Sequence, residues 1–222
     1  MDSAQLQLSP LDRLILAYAR AQDRPIFAAV FALDAQLAAI VRDSREPVLG
    51  QMRLQWWHDV ISMPAGRRPR GNPLVNALGK LDGAGSLTER LLPMVDGWEE
   101  LLVAETLDGE MIAGFAMKRG ATMFAFLADS LGEPLDLAAA GRAWAQWDLA
   151  RNISEPVVSA EIFGRLAQDP IAMKCLSLPR RLRPLSIRMR LMQIDILRRE
   201  TDRPLMRPVT AWRVIRHGLI GG

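Results

Sequence analysis

The stretch PIFAAVFALDAQLAAIV, positions 25–41, is the longest apolar run of the chain. Its larger apolar residues recur at steps of three and four, the spacing of a helix face: Ile26, Val30, Leu33, Leu37, Ile40 and Val41. Proline at the start of the run is typical of the first turn of a helix. Because the run carries Asp34 and Gln36 and falls short of the roughly 20 residues of a membrane span, we expect a helix of a globular protein.

Further helix signals follow on both sides of this run at short intervals. Proline, capping residues and apolar spacing predict helices at about 9–22, 25–43, 47–63, 72–81, 88–106, 108–131, 135–153, 159–168, 185–200 and 209–219. No segment alternates apolar and polar residues with the period of two that marks a strand. The sequence therefore predicts an all-α fold, with residues 1–222 forming one helical bundle.

The composition is that of an ordinary globular protein, because half of the 222 residues are hydrophobic and 24% are charged. The single cysteine, Cys175, excludes an internal disulfide, favours a reducing compartment and is interpreted as a structural thiol. Residues 1–5 lack the basic and apolar regions of a signal peptide. We therefore expect a cytoplasmic protein, with peripheral contact at the inner membrane left open.

Charge is distributed unevenly along the chain. Residues 174–222 hold 12 Lys and Arg against 3 Asp and Glu, a balance of +9 within a chain of net charge +3. Two interpretations of this asymmetry stay open. One is a genomic bias towards arginine, and the other is a basic face that contacts acidic lipid or a diphosphate. Residues 205–220 mix arginine with apolar residues and suit either an ordinary docking helix or a helix lying on an anionic membrane. No helix-turn-helix or aromatic platform favours nucleic-acid binding.

A tryptophan pair marks the third predicted helix, GQMRLQWWHDVI at positions 50–61. Trp56 and Trp57 point about 100° apart on a helix, so one can pack in the core while the other lines a neighbouring surface or cavity. Arg53 lies one turn before Trp57 and could stack on it, and Gln55 lies one turn before Asp59. The plainer interpretation is a packed helix with a solvated polar edge.

This Arg-Leu-x-Trp-Trp-x-Asp pattern resembles the third helix of the squalene/phytoene synthase family, and the resemblance extends over most of the chain. The segment FAMKRGA, from Phe115 to residue 121, resembles the family's kinked helix beside the prenyl pocket. The resemblance implies an isoprenoid-synthase bundle. It also implies that an aspartate pair and a third aspartate, the magnesium ligands of active members, would stand where this chain has Ala38, Ala39 and Arg42.

The second metal motif of that family resembles AQWDLARNISEP, positions 145–156. Gln146 and Arg151 match the motif, but its aspartates are replaced by Asn152 and Pro156, while Glu155 remains an acid. Pro156 is expected to end the helix. Alanine cannot coordinate magnesium and arginine repels it, so this pattern resembles the metal-poor branch of the family, which includes a mitochondrial complex I assembly factor.

The resemblance thus implies a protein without catalytic residues, without metal ligands and without a cofactor. It would bind an isoprenoid-type lipid or assist the assembly of a membrane complex. The alternative is an active prenyl transferase that joins two prenyl diphosphates head to head and needs Mg²⁺. Ten residues are candidates for the pocket: Arg53, Gln55, Trp56, Trp57, Phe115, Gln146, Asp148, Arg151, Asn152 and Glu155.

Overall fold

The computed structural model describes residues 6–82, 85–174 and 176–198, and within them the fold is all-α with no strand. The helices are α1 (Pro10–Leu16), α2 (Arg24–Asp43), α3 (Pro47–Ser62), α4 (Pro73–Asp82), α5 (Leu92–Val103), α6 (Gly109–Ala116), α7 (Thr122–Ser130), α8 (Ala138–Asn152), α9 (Pro156–Gln168), α10 (Pro170–Met173) and α11 (Arg183–Arg198). A π-helical turn, Met117–Ala121, joins α6 to α7, and 3₁₀ turns occupy Ala65–Arg67, Leu87–Leu91 and Arg180–Leu182. The predicted fold class is confirmed. The predicted helix at 209–219 lies outside the described residues.

Local sequence sets most of the helix starts. The side chain of Ser9 accepts a hydrogen bond from the backbone nitrogen of Asp12 at the start of α1. The side chain of Asn72 accepts bonds from the backbone nitrogens of Leu74 and Val75 in the same way at α4. Helices α2, α3, α5 and α9 have proline in their first turn, where its missing N–H costs nothing.

Several predicted helix boundaries differ from the structure, and two of the differences have a local reason. The first helix ends at Leu16 instead of residue 22, where the guanidinium of Arg24 donates to the carbonyls of Leu16 and Ala19 and satisfies the exposed end of the helix. Pro156 does not end the helix of the second motif, because α8 already ends at Asn152. The proline instead begins α9.

Helix α2 runs through the middle of the fold. Residues 26–34 are buried without interruption, and α2 packs against α1, α3, α4, α5 and α7. A helix that is apolar on all sides is stable only when neighbours cover all of them. By length and composition alone α2 could also cross a membrane, but 61% of its apolar window is buried inside the fold, as in the core helix of a globular protein.

Helix α8 packs against the π turn, α6, α7, α9, α10 and α11. Its closest approach is to the π turn, where glycine stands in both elements. A Cβ atom placed on Gly120 would lie 2.0 Å from the carbonyl oxygen of Gly141. The wider π turn buries three consecutive residues, Arg119, Gly120 and Ala121. It thereby brings the Arg119 side chain between α2 and α8.

Candidate functional site

A cleft of about 820 Å³ lies between the C-terminal halves of α2 and α8, with α5 and its following loop as the third wall. This volume is within the range of small-molecule sites. Eighteen residues line it: Ala38, Val41, Arg42, Trp98, Leu101, Ala104, Glu105, Thr106, Leu107, Asp108, Arg119, Asp148, Leu149, Asn152, Ile153, Ser154, Glu155 and Val158. Trp98, Arg119 and Leu149 are buried and form the floor, whereas the charged residues other than Arg119 and Asp148 are exposed at the rim.

Arg119 is the central polar group of the floor. Its Nε and Nη2 atoms donate to the two carboxylate oxygens of Asp34, each at 2.8 Å. Its Nη2 atom also lies 2.7 Å from a carboxylate oxygen of Asp148. The guanidinium carbon lies 4.7 Å from the ring centres of both Trp98 and Trp144. These contacts hold the planar guanidinium group in one orientation. Among the described residues, Nη1 is buried and has no hydrogen-bond partner.

The charges in this cluster reinforce one another. Burial by itself would raise the pKa of Asp34, but the charge and hydrogen bonds of Arg119, helped by Arg188 and the indole of Trp98, hold that pKa below its ordinary value. Burial would lower the pKa of Arg119, but the charges of Asp34 and Asp148 raise it. Both groups therefore stay ionised across the physiological range. Trp98 Nε1 completes the cluster with a 3.1 Å bond to Asp34.

The two segments that resemble the metal motifs of the squalene/phytoene synthase family lie on opposite walls of the cleft. Ala38 and Arg42 belong to the α2 wall, and Asp148, Asn152 and Glu155 belong to the α8 wall. The α2 wall thus contributes a methyl group and a guanidinium, and neither can bind a hard cation. In the described part of the chain, no three His, Cys, Asp or Glu side chains are grouped so as to hold a metal ion.

Three of the ten candidate pocket residues line the cleft, namely Asp148, Asn152 and Glu155. Three others from the same part of the fold lie behind it. Phe115 is fully buried with its ring 5.0 Å from that of Trp98, so it supports the floor. Arg151 points to the other side of α8, where its Nη1 atom lies 2.6 Å from Asp195. Gln146 is half-buried and does not line the cleft.

The four candidates on α3 do not reach the cleft. Trp57 is buried in the core, and its ring packs edge-to-face against Trp56 at 4.9 Å. Arg53 is exposed. Within the described residues, its guanidinium makes no stacking contact with the ring of Trp57. Gln55 is exposed and donates to Asp59 at 2.8 Å, as its spacing suggests. The tryptophan pair therefore does not line the cleft that holds Asp148, Asn152 and Glu155.

Helix α3 instead presents a stripe of exposed apolar side chains to solvent. Val48, Leu49, Met52 and Trp56 are 65%, 55%, 65% and 40% exposed, and their spacing places them on one face of the helix. We call these four residues the α3 stripe. Neighbouring apolar residues exposed in a row are less common than single ones and often mark contact surfaces.

Sequence reasoning missed Trp98 and Arg119, and used Asp34 only as a charge that argues against a membrane span. The sequence did contain a signal for the pairing of Asp34 with Arg119. Asp34 stands alone within an apolar helix, and Arg119 stands within another apolar segment. A charge buried in a core helix requires a partner of opposite charge, so two such residues in different helices indicate a buried pair.

The basic segment 205–220 and Cys175 lie outside the described residues, so their predicted roles stay predictions. Comparison of the chain with protein-family models, with curated proteins and with solved structures gave no match.

Proposed function

We propose that this chain is a non-catalytic, squalene/phytoene synthase-like protein that binds an isoprenoid-type lipid in the cleft between α2 and α8. One observation carries the proposal: the two resembling motifs face each other across a cleft whose α2 wall holds Ala38 and Arg42 in place of carboxylates. Apolar side chains from α2, α5, α8 and α9 line the remainder, a surface suited to a hydrocarbon chain.

The residues present do not fit a magnesium cluster of the kind that the resemblance implies. Ala38 and Arg42 supply no oxygen ligand, and the Asp148 carboxylate is already engaged by Arg119. Two arginines and four carboxylates line the cleft, a formal balance of −2. A prenyl diphosphate would be repelled by such a balance, whereas an uncharged lipid would not. The charge distribution therefore supports lipid binding over the alternative, prenyl transfer.

The test is direct binding of geranylgeraniol, an uncharged isoprenoid alcohol, to the full chain by isothermal titration calorimetry. Ala38→Trp places an indole in the cleft and should weaken binding about tenfold or more, equivalent to about 1.4 kcal/mol. Ala39→Trp is the matched control, because Ala39 is the next residue of the same helix, equally half-buried and not part of the cleft. Equal affinities for the two variants, or no binding by the unmodified chain, would refute the proposal.

A second candidate function, assistance in the assembly of a membrane complex, is favoured by the α3 stripe. Four exposed apolar side chains on one helix face suit contact with an apolar segment of a membrane-complex subunit. A photo-crosslinking residue in place of Met52 should capture such a subunit in cells. The same residue in place of Glu161, which is exposed on α9, is the control. Identical products from both positions would count against this function.

A further inference from the structure

The mouth of the cleft between α2 and α8 combines acidic and apolar side chains. Glu105, Asp108 and Glu155 are exposed at its rim. Val103 and Val157, each two positions from a rim acid, are exposed as well. Within the described residues, no cation forms an ion pair with Glu105 or Glu155. The described residues therefore leave uncovered a groove with apolar walls and an acidic rim.

Two arginines lie near this rim, but each has an acidic partner of its own. Arg42 lines the cleft and pairs with Asp43 at 3.1 Å. The guanidinium of Arg165 lies 3.1 Å from the position of a Cβ on Gly109, and it pairs with Glu161. Because both cations are matched, they do not cancel the negative charge of the rim.

The basic segment 205–220 has the complementary composition. It contains Arg207, Arg213 and Arg216 and no Asp or Glu, a formal balance of +3 against the −2 of the cleft. Arginine pairs well with carboxylates, and tryptophan, here Trp212, contributes a large apolar surface. A surface of acidic lipid would be repelled by the rim, whereas this segment matches both its charge and its apolar walls.

Helix α11 ends beside the α8 wall of the cleft. Asp195, in the last turn of α11, lies 2.6 Å from Arg151, in the last turn of α8. The residue after Arg151 is Asn152, which lines the cleft. Six residues separate the end of α11 at Arg198 from the basic segment, and six extended residues span up to about 20 Å. The basic segment is thus tethered close to the rim.

Tethering favours this segment over any free partner. A short linker gives a tethered group an effective concentration of about a millimolar order, so even a weak contact is populated. A second copy of the chain would have to reach that concentration in solution to compete for the same groove.

We infer that the basic segment 205–220 binds across the mouth of the cleft, with its arginines on the rim carboxylates and its apolar residues against the walls. It therefore competes with the lipid for the cleft. The competition rests on the proposed lipid-binding function, but the contact between the segment and the rim does not.

Photo-crosslinking in the full chain tests the contact. The crosslinking residue p-benzoylphenylalanine replaces Trp212, and the products formed without lipid are mapped by mass spectrometry of tryptic peptides. We expect cross-links to the two stretches that hold most of the cleft lining, 104–108 and 152–158. Glu105→Lys/Glu155→Lys should lower their yield about threefold or more, because both rim charges are reversed.

Glu46→Lys/Glu89→Lys is the matched control. Both residues are exposed and neither lines the cleft, so the net charge changes equally while the rim stays acidic. This control should leave the cross-links unchanged. Cross-links scattered over other surfaces, or an equal loss in both pairs of variants, would overturn the inference. Cross-links between nitrogen-14 and nitrogen-15 chains in a mixture would also overturn it, because a second copy would then occupy the groove.

Binding of geranylgeraniol separates this inference from the proposed function. Arg207→Glu/Arg213→Glu/Arg216→Glu should bind the alcohol about threefold or more tighter than the unmodified chain, because the cleft is no longer occupied by the segment. Unchanged affinity would overturn the competition. Absence of binding by both chains would refute the proposed function, and cross-links to the rim would still support the contact.

Discussion

Gly120 of the π turn and Gly141 of α8 pack backbone against backbone. A Cβ atom on Gly120 would lie 2.0 Å from the carbonyl oxygen of Gly141, and one on Gly141 would lie 2.1 Å from that of Gly120. Both distances are far below any real contact, and in both cases the nearest atoms in the way belong to backbone. This contact places Arg119, the residue before Gly120, against Asp148 of α8.

We expect Gly120→Ala to lower the free energy of unfolding by about 3 kcal/mol or more, because two helical segments must separate to admit one methyl group. Gly141→Ala should have a similar effect, because its methyl group would clash with the backbone of Gly120. Urea denaturation followed by circular dichroism measures both values.

The control for these variants is Gly164→Ala. Gly164 lies within α9, is exposed, and has no atom within 4 Å of the position of a Cβ. Alanine there should stabilise the helix by about 0.5–1 kcal/mol. A neutral effect of Gly120→Ala would show that the π turn and α8 do not approach as closely as described.

The second prediction concerns the pH dependence of stability. The folded-state pKa of Asp34 lies below the ordinary value of 3.8, so its contribution is complete above about pH 3.8 and is lost as the pH falls through the folded pKa. We expect Asp34→Asn to cost about 3–5 kcal/mol at pH 7, because a buried arginine loses its main partner. The difference in free energy of unfolding between Asp34→Asn and the unmodified chain should become smaller only below about pH 3.8.

Unfolding in urea at a series of pH values measures this difference. Asp43→Asn is the control, because the Asp43 side chain is 63% exposed and its pair with Arg42 lies at the surface. That variant should change stability by less than about 0.5 kcal/mol. A penalty for Asp34→Asn that disappears well above pH 4 would mean that Asp34 is not held ionised by Arg119.

The third prediction distinguishes the two faces of α3. Leu54 is fully buried and Met52 is 65% exposed on the same helix. Leu54→Ala should lower the free energy of unfolding by about 2–5 kcal/mol, whereas Met52→Ala should change it by less than about 0.5 kcal/mol. Thermal or urea denaturation provides the comparison. A large loss for Met52→Ala would show that the α3 stripe is covered in the free protein.

The fourth prediction concerns the alternative function. We expect no squalene, phytoene or presqualene-type product when the chain is incubated with farnesyl or geranylgeranyl diphosphate, magnesium and reduced nicotinamide cofactor. Departure of pyrophosphate requires concentrated positive charge, and the cleft carries a formal balance of −2. Extraction and gas chromatography against a boiled control decide the question, and a hydrocarbon product above that control would contradict the proposed function.

Restoration of carboxylates is the complementary experiment. Ala38, Arg42 and Asn152 all line the cleft, so aspartate at these three positions would place acids on both walls. Calorimetry with magnesium then tests whether carboxylates at these three positions lie close enough together to bind the ion. Binding by the triple variant but not by the unmodified chain is the expected result.

The helices were largely predictable because their signals are local. Proline and apolar spacing define α2 and α3 to within about two residues, and Asn72 marks the start of α4 through its own side-chain bonds. The early end of α1 was not predictable in this way, since it depends on the side chain of Arg24 reaching back across a turn.

The site was predictable only in part, because it depends on contacts between distant segments. Asp148, Asn152 and Glu155 share one helix end, so their common position follows from spacing. Which of Trp56 and Trp57 would be buried depends on how α3 packs against α5, and spacing alone leaves that open. Arg119 reaches the cleft through a π turn, which shifts the helical register by one residue and leaves no simple sequence pattern.

The pairing of Asp34 with Arg119 also has a consequence for biosynthesis. The two residues are 85 positions apart, so at about 5–20 residues per second the ribosome needs roughly 4–17 s to make the arginine after the aspartate. During that time α2, which is apolar enough to resemble a membrane span, emerges without its partner. A carboxylate at the centre of such a helix opposes insertion into a bilayer by about 2.5–3.5 kcal/mol. The charge that later orders the floor of the cleft therefore first opposes insertion of the nascent helix into a membrane.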